Sequence, residues 1–156
     1  MNREIVIAKA DPYDAGRIAK LLEDWFTVSS IQWPVSHPGS MVAWALNVIN
    51  NGYVVTAQIS GRLLGVAGIQ PCYLPWNVEQ PLMRDAFFYV PEKGRRHGVA
   101  NALIDACKLY CAKRGMPLIM EIISGVDTDK LEAWYGIKGG KYAGGVMVFG
   151  LPVKEE

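Results

Sequence analysis

Apolar and polar positions follow one another in blocks of recognisable period along the chain. Residues 4–8 (Glu-Ile-Val-Ile-Ala) form a short apolar run that predicts a first strand. Asp11-Pro12 then pairs an N-capping carboxylate with a proline suited to the first helical position. Ile18, Leu21, Leu22, Trp25 and Phe26 recur at three- and four-residue spacing, which predicts a helix running to about Phe26. A polar, proline-containing loop is expected over 27–39, after which Ser40 is placed to cap a second helix that ends at Asn51-Gly52. Residues 53–59 and 63–69, joined by Ser60-Gly61-Arg62, read as a β-hairpin. Gly65 and Gly68 in it mark either a weakened strand or close backbone packing. Residues 70–81 contain three prolines and predict a long loop, hence a candidate functional one.

The second half changes character. Residues 83–90 predict a strand, stopped by Pro91-Glu92-Lys93-Gly94, and a helix is expected from about His97 to Arg114, closed by Gly115 and Pro117. The near-continuous apolarity of 118–123 (Leu-Ile-Met-Glu-Ile-Ile) predicts a strand buried on both faces. A short helix over 128–135 and a last strand over 142–151, bent at Gly144-Gly145, complete the order β-α-α-β-β-β-α-β-α-β. A meander in the first half and a parallel crossover in the second imply a mixed sheet flanked by helices, an α/β (α+β) domain.

At 156 residues one domain is expected, spanning 1–156. Sixteen basic against 15 acidic residues leave a net charge of +1, with no broad electrostatic footprint for nucleic acid. Three cysteines argue against a disulfide framework. Residues 1–10 show no signal-peptide pattern, and no apolar run approaches the roughly 20 residues of a membrane span. A cytoplasmic protein that binds neither nucleic acid nor membrane is therefore expected. Charge is unevenly spread: from Trp25 to Val78 the only charged side chain is Arg62, where the chain-wide 20% would give about eleven. That span reads as buried sheet, as a substrate or partner surface carrying Trp33, Tyr73 and Trp76, or as both.

Several chemistries lack their residues. His37 and His97 stand apart without a cysteine cluster, so no metal site is expected. Cys107 and Cys111, four apart, read as small core residues, and Gly139-Gly140-Lys141 lacks the Ser or Thr of a Walker A loop. The strongest signal is Arg95-Arg96-His97-Gly98-Val99-Ala100 between a strand and a helix. Unpaired amides at a helix N-terminus, small residues at Gly98 and Ala100, and the cations Lys93, Arg95 and Arg96 suit a pyrophosphate. The residues alone are equally a solvated basic turn.

Arg-x-x-Gly-x-Ala after a strand resembles the acetyl-CoA signature of the GNAT superfamily of N-acetyltransferases, and Phe88-Tyr89-Val90-Pro91-Glu92 resembles the strand end before it, with its proline one position early. The resemblance covers almost the whole chain. It implies a GNAT-like fold with a mostly antiparallel sheet of six to seven strands and about four helices. It also implies acetyl-CoA as co-substrate without a metal, its pantetheine arm against the backbone of Phe88, Tyr89 and Val90. Its pyrophosphate would lie on the turn formed by Arg95, Arg96, His97, Gly98, Val99, Ala100 and Asn101.

Within that family frame three side chains become catalytic candidates. Glu121 is the one charged residue in its apolar run; burial would raise its pKa toward that of a general base, and the alternative is a pair with a basic side chain. Asp85 is the reserve base, or else an ion-pair partner of Arg84. Tyr135, in Trp134-Tyr135-Gly136-Ile137-Lys138-Gly139, resembles the tyrosine that protonates the departing thiolate; Gly140 stands where the family has an aromatic, and the alternative role is packing on the cofactor. The expected activity is acetyl transfer to a primary amine, of a small molecule or peptide, in a ternary complex, with the acceptor held by 27–39 and 70–81. The competing class is a GNAT-fold binding or regulatory protein acting through a protein interface, and a homodimer is one form of it.

Overall fold

β1 (Val6–Lys9) lies antiparallel to β2 (Tyr53–Ile59), which pairs with β3 (Arg62–Leu74), and β3 pairs with β4 (Asn77–Tyr89). These strands, with β5 (Leu118–Ile119) parallel to β4, form one five-stranded sheet in sequence order. The structure is a computed structural model that describes residues 4–30, 34, 37–121, 127–144 and 149–150. The helices are α1 (Ala15–Val28), α2 (Pro38–Asn51), the single turn α3 (Glu92–Arg95), α4 (Val99–Ala112) and α5 (Thr128–Ile137).

Strand alternation sends side chains to two cores. On one face Ile18, Leu22, Ala45 and Val48 of α1 and α2 cover Val54, Val66 and Phe87. On the other, Val99, Leu103 and Cys107 of α4 cover Val55, Ala67, Ile69 and Met83. Charge-poor sequence between Trp25 and Val78 is thus largely buried strand and helix. Local chemistry sets the boundaries. Asp11 accepts from the Tyr13 amide at 2.8 Å and Asp14 accepts from the Asp11 amide at 2.9 Å, a reciprocal cap on a 3-10 turn, Pro12–Asp14, leading into α1. Ser60 (φ 51°) and Gly61 (φ 75°) make the two-residue turn between β2 and β3.

Five expectations need correction. The stretch 70–81 is no loop: β3 runs to Leu74 and β4 starts at Asn77, forming a two-stranded arm. The ladder between β2 and β3 ends at Tyr53↔Ile69 and that of β5 begins at Met83, so the missing amides of Pro71 and Pro81 have no strand to serve. The arm carries exposed Tyr73, Trp76 and Val78. His37, whose Nδ1 accepts from the Gly39 amide at 3.2 Å, caps α2 in place of Ser40. The helix expected from His97 splits into α3 and α4 around Gly98, whose φ of +73° no helix accommodates. β5 is short and Ile119 is 40% exposed, because past the β4 ladder only one side of it is covered; 122–123 lie outside the described residues. Five strands replace six to seven among the described residues: Tyr142, Ala143 and Gly144 are not strand, and most of the rest of the expected last strand, 145–148 and 151, lies outside them.

Gly65 determines how closely α4 approaches. A Cβ there would stand 2.6 Å from Val99 Cγ1 and 2.9 Å from Leu103 Cδ1, so the absent side chain lets the first turn of α4 rest on β3. Gly65→Ala should destabilise by about 1–3 kcal/mol through this overlap. Gly16, exposed in α1 with nothing within 4 Å of a Cβ, is the opposite case: Gly16→Ala should stabilise by about 0.5–1 kcal/mol. Thermal unfolding of the two variants reads both signs.

Candidate active site

The β4–β5 ladder consists of Met83↔Leu118 and Arg84↔Ile119, and among the described residues no further pair joins the strands. Where the next rung would fall, the Glu121 amide donates instead to Asp85 Oδ1 at 3.0 Å. A side chain thereby ends the sheet and begins a wedge. On its other side β4 slips register against β3: Ile69 faces Asp85 and Gly68 faces Phe87, leaving Ala86 as an extra residue. Ala86 and Phe87 both pack toward α1 and α2, while Met83 belongs to the α4 core. Asp85, two residues from Met83, shares its face. The slip puts a carboxylate where regular alternation with Phe87 would bury it beneath α1 and α2.

The site's electrostatics divide its two acids. Desolvation by burial pushes Asp85 up to about 7, with the nearby Glu121 charge adding to it; the Glu121 amide bond and Arg84 only partly offset this. Glu121 instead sits in an ion pair, its Oε1 2.6 Å from Arg84 Nη2. That hydrogen bond raises the Arg84 pKa. The expected pairing of Arg84 is thus with Glu121, and Asp85 holds the buried position the sequence suggested for Glu121. Tyr135 of α5 is held well above the ordinary phenol value, mainly by burial, then by the charges of Asp85 and Cys107, so its hydroxyl keeps its proton. Burial pushes the Cys107 thiol up to about 12, which leaves it poor as a nucleophile.

At the open end of the wedge the chain turns. Gly94 is buried against Leu64, and Arg95 Nε donates to the Val90 carbonyl at 3.1 Å, tying the turn to the end of β4. Arg96 and His97 are exposed. The first hydrogen bond of α4 runs from the Ala102 amide to the Gly98 carbonyl at 3.1 Å, so the amides of Val99, Ala100 and Asn101 precede the ladder and face outward along the helix axis. A Cβ on Gly98 would meet only Ile5 Cδ1, at 4.0 Å, so the turn is open to a ligand. A fourteen-residue helix directs its positive end there, and the donor set fits a diphosphate. Phe88, Tyr89 and Val90 line the strand that leads from this turn to Asp85. The structure therefore gathers Asp85, Glu121 and Tyr135 at one end of the wedge and the residues from Arg95 to Asn101 at the other. Sequence reasoning passed over Trp134, whose Nε1 donates to Asn101 Oδ1 at 3.0 Å and whose ring lies 6.0 Å from Phe88. Its presence beside Tyr135 was the only signal.

A sheet opened between two parallel strands beside an anion-binding helix start is the architecture expected of an acyl-CoA-dependent transferase. The chain belongs to the acetyltransferase (GNAT) family, whose profile matches residues 17–149. Similar solved structures include the aminoglycoside N-acetyltransferase AAC(6')-Iy in complex with CoA (14% identity, 96% of this chain and 95% of that one, TM-score 0.75). A predicted acetyltransferase with acetyl-CoA from Clostridium acetobutylicum has 14% identity over 94% and 96% of the two chains, TM-score 0.74. Ribosomal-protein-alanine N-acetyltransferase from Brucella melitensis biovar Abortus 2308 has 19% identity over 94% and 99%, TM-score 0.66. At these identities the likeness is one of fold. Among curated proteins none matches the chain significantly.

Asp85 binds its proton more tightly in the folded chain than in the unfolded one. Its contribution is therefore fully present below the unfolded carboxylate value and is lost as pH rises through about 7. Asp85→Asn keeps an acceptor for the Glu121 amide and removes that loss. The variant should match the parent near pH 4 and exceed it at pH 8 by on the order of 2–4 kcal/mol, at 1.36 kcal/mol per pKa unit. Chemical denaturation at the two pH values measures the difference.

Proposed function

We propose that the chain transfers an acetyl group from acetyl-CoA to a primary amine by direct attack. The observation that carries this reading is the single wedge with a diphosphate-binding turn at one end and a raised carboxylate plus a protonated phenol at the other. In this reading acetyl-CoA supplies an activated acyl carbon. The backbone of Phe88, Tyr89 and Val90 orients its arm, and the amides of Val99, Ala100 and Asn101, with Arg95 and Arg96, hold its diphosphate.

An alkylamine is almost wholly protonated at neutral pH and attacks only when neutral. Asp85, titrating near 7, takes the proton from the amine as nitrogen bonds to the acyl carbon. The carbon–sulfur bond breaks, and the Tyr135 hydroxyl gives its proton to the departing thiolate. Glu121, paired with Arg84, borders the acceptor side and adjusts Asp85 through its charge. This reverses the order of the two acids expected from sequence. Proteins of similar fold act on an aminoglycoside and on a ribosomal-protein alanine, so small-molecule and peptide amines are both acceptor classes to screen.

Acetyl-CoA at 100 times its Kd should stabilise the domain by about 2.7 kcal/mol, roughly 5–10 °C in Tm. Gly98→Glu, which places bulk and negative charge on the turn, should abolish the shift. In a CoA-release assay with an amine panel, Asp85→Asn should lower kcat by about 10²–10⁴ and remove the acidic limb of its pH profile. Glu121→Gln removes a charge that raises Asp85, so it should retain most of kcat and move that limb to lower pH. The reverse pattern would make Glu121 the base. Tyr135→Phe should lower kcat and leave acetyl-CoA affinity nearly unchanged, and a loss of that affinity would make its role structural.

A further inference from the structure

α5 carries Tyr135, yet no side chain of α5 is fully buried. A helix with so little apolar anchoring depends on its polar contacts for its position. Those contacts all reach one stripe of α4. Asn101, Asp105 and Lys108 recur at four- and three-residue spacing, which places them on one helix face. Asn101 accepts from Trp134, as described. Asp105 receives Lys138 Nζ on both carboxylate oxygens at 3.0 Å. Lys108 Nζ donates to the Lys138 carbonyl at 2.6 Å, putting a cation on the C-terminal end of α5, where the helix dipole favours it. Lys138 is thus held through both its side chain and its backbone. Its neighbour in the helix register, three residues back, is Tyr135.

We propose that Asp105, Lys108 and Lys138 form a latch that docks α5 on α4 and so fixes the Tyr135 hydroxyl beside Asp85. They are positioning residues for acetyl transfer, and this inference rests on the activity proposed above. None belongs to the wedge or to the diphosphate turn, so loosening the latch changes how much of the time Tyr135 is in place rather than how well the turn holds acetyl-CoA. The Asp105–Lys138 pair lies near the surface, with side chains 57% and 20% exposed. Pairs of that kind contribute up to about 1 kcal/mol, which converts to roughly fivefold in the docking equilibrium.

Lys138→Met keeps the aliphatic stem and removes the charge. It should lower kcat about fivefold, change KM for acetyl-CoA less than about twofold, and leave Tm within about 3 °C of the parent. The swap Asp105→Lys with Lys138→Asp restores a pair and should recover at least half of kcat. Raising NaCl from 0.05 to 0.5 M should lower the parent's kcat toward that of Lys138→Met and leave the variant unmoved. Hydrogen exchange supplies a readout that needs no substrate: amides of α5 should exchange about fivefold faster in Lys138→Met, with those of α4 unchanged. Parent-like kcat in Lys138→Met, or a loss that the swap does not recover, overturns the latch. If the parent releases CoA with no amine, the activity reading fails. Exchange then decides alone: faster α5 exchange keeps the latch as a docking device, and unchanged exchange removes it.

Discussion

The β4–β5 ladder stops after two rungs, and the candidate site depends on that stop. A parallel sheet normally continues until one strand runs out, because unpaired peptide groups are costly away from water. Here Asp85 accepts the Glu121 amide in place of a β4 carbonyl, so the interruption carries its own hydrogen bond. The same carboxylate that closes the sheet is the one that burial brings close to neutrality in charge. Sheet termination and acid–base capacity are therefore two consequences of one side chain. The extra residue Ala86 makes this possible by shifting Asp85 out of phase with Phe87, whose ring fills the opposite core.

The other end of the wedge depends on closeness rather than charge. The first turn of α4 can offer its amides beside β4 only because Gly65 yields room to Val99 and Leu103. Gly94, buried against Leu64, draws the preceding turn onto the same strand. Two glycines in different elements thus fix one helix terminus, and the left-handed Gly98 redirects the chain into it. The cations of the turn add attraction over a longer range but do not set the position.

Much of this was legible in the sequence, and the failures have physical causes. The periods of α1, α2 and the β2–β3 hairpin were visible because each buries one face and exposes the other. The turn from Arg95 to Ala100 was visible because its residue types and its place before a helix agree. The arm over 70–81 was misread because proline normally marks a break; at strand positions beyond the neighbouring ladders it does no harm. The roles of Asp85 and Glu121 were exchanged for a related reason. Apolar neighbours in sequence made Glu121 look buried, but β5 lies beside a wedge, and Arg84 reaches it there. Asp85 looked like half of an Arg-Asp pair, and only the slip at Ala86 turns consecutive residues to different partners.

That exchange also explains why two carboxylates can share so small a space. If both were ionised and unpaired, each would raise the other, and the sheet edge would carry a net charge away from water. Arg84 settles the conflict by pairing with the acid nearer solvent and leaving the deeper one able to hold or release a proton near neutral pH. Tyr135 completes the arrangement from the opposite side, since the burial and negative charge that keep its proton in place come partly from Asp85 itself. A proton acceptor and a proton donor are thus tuned by one another across a gap bounded by a short ladder on one side and a lightly anchored helix on the other.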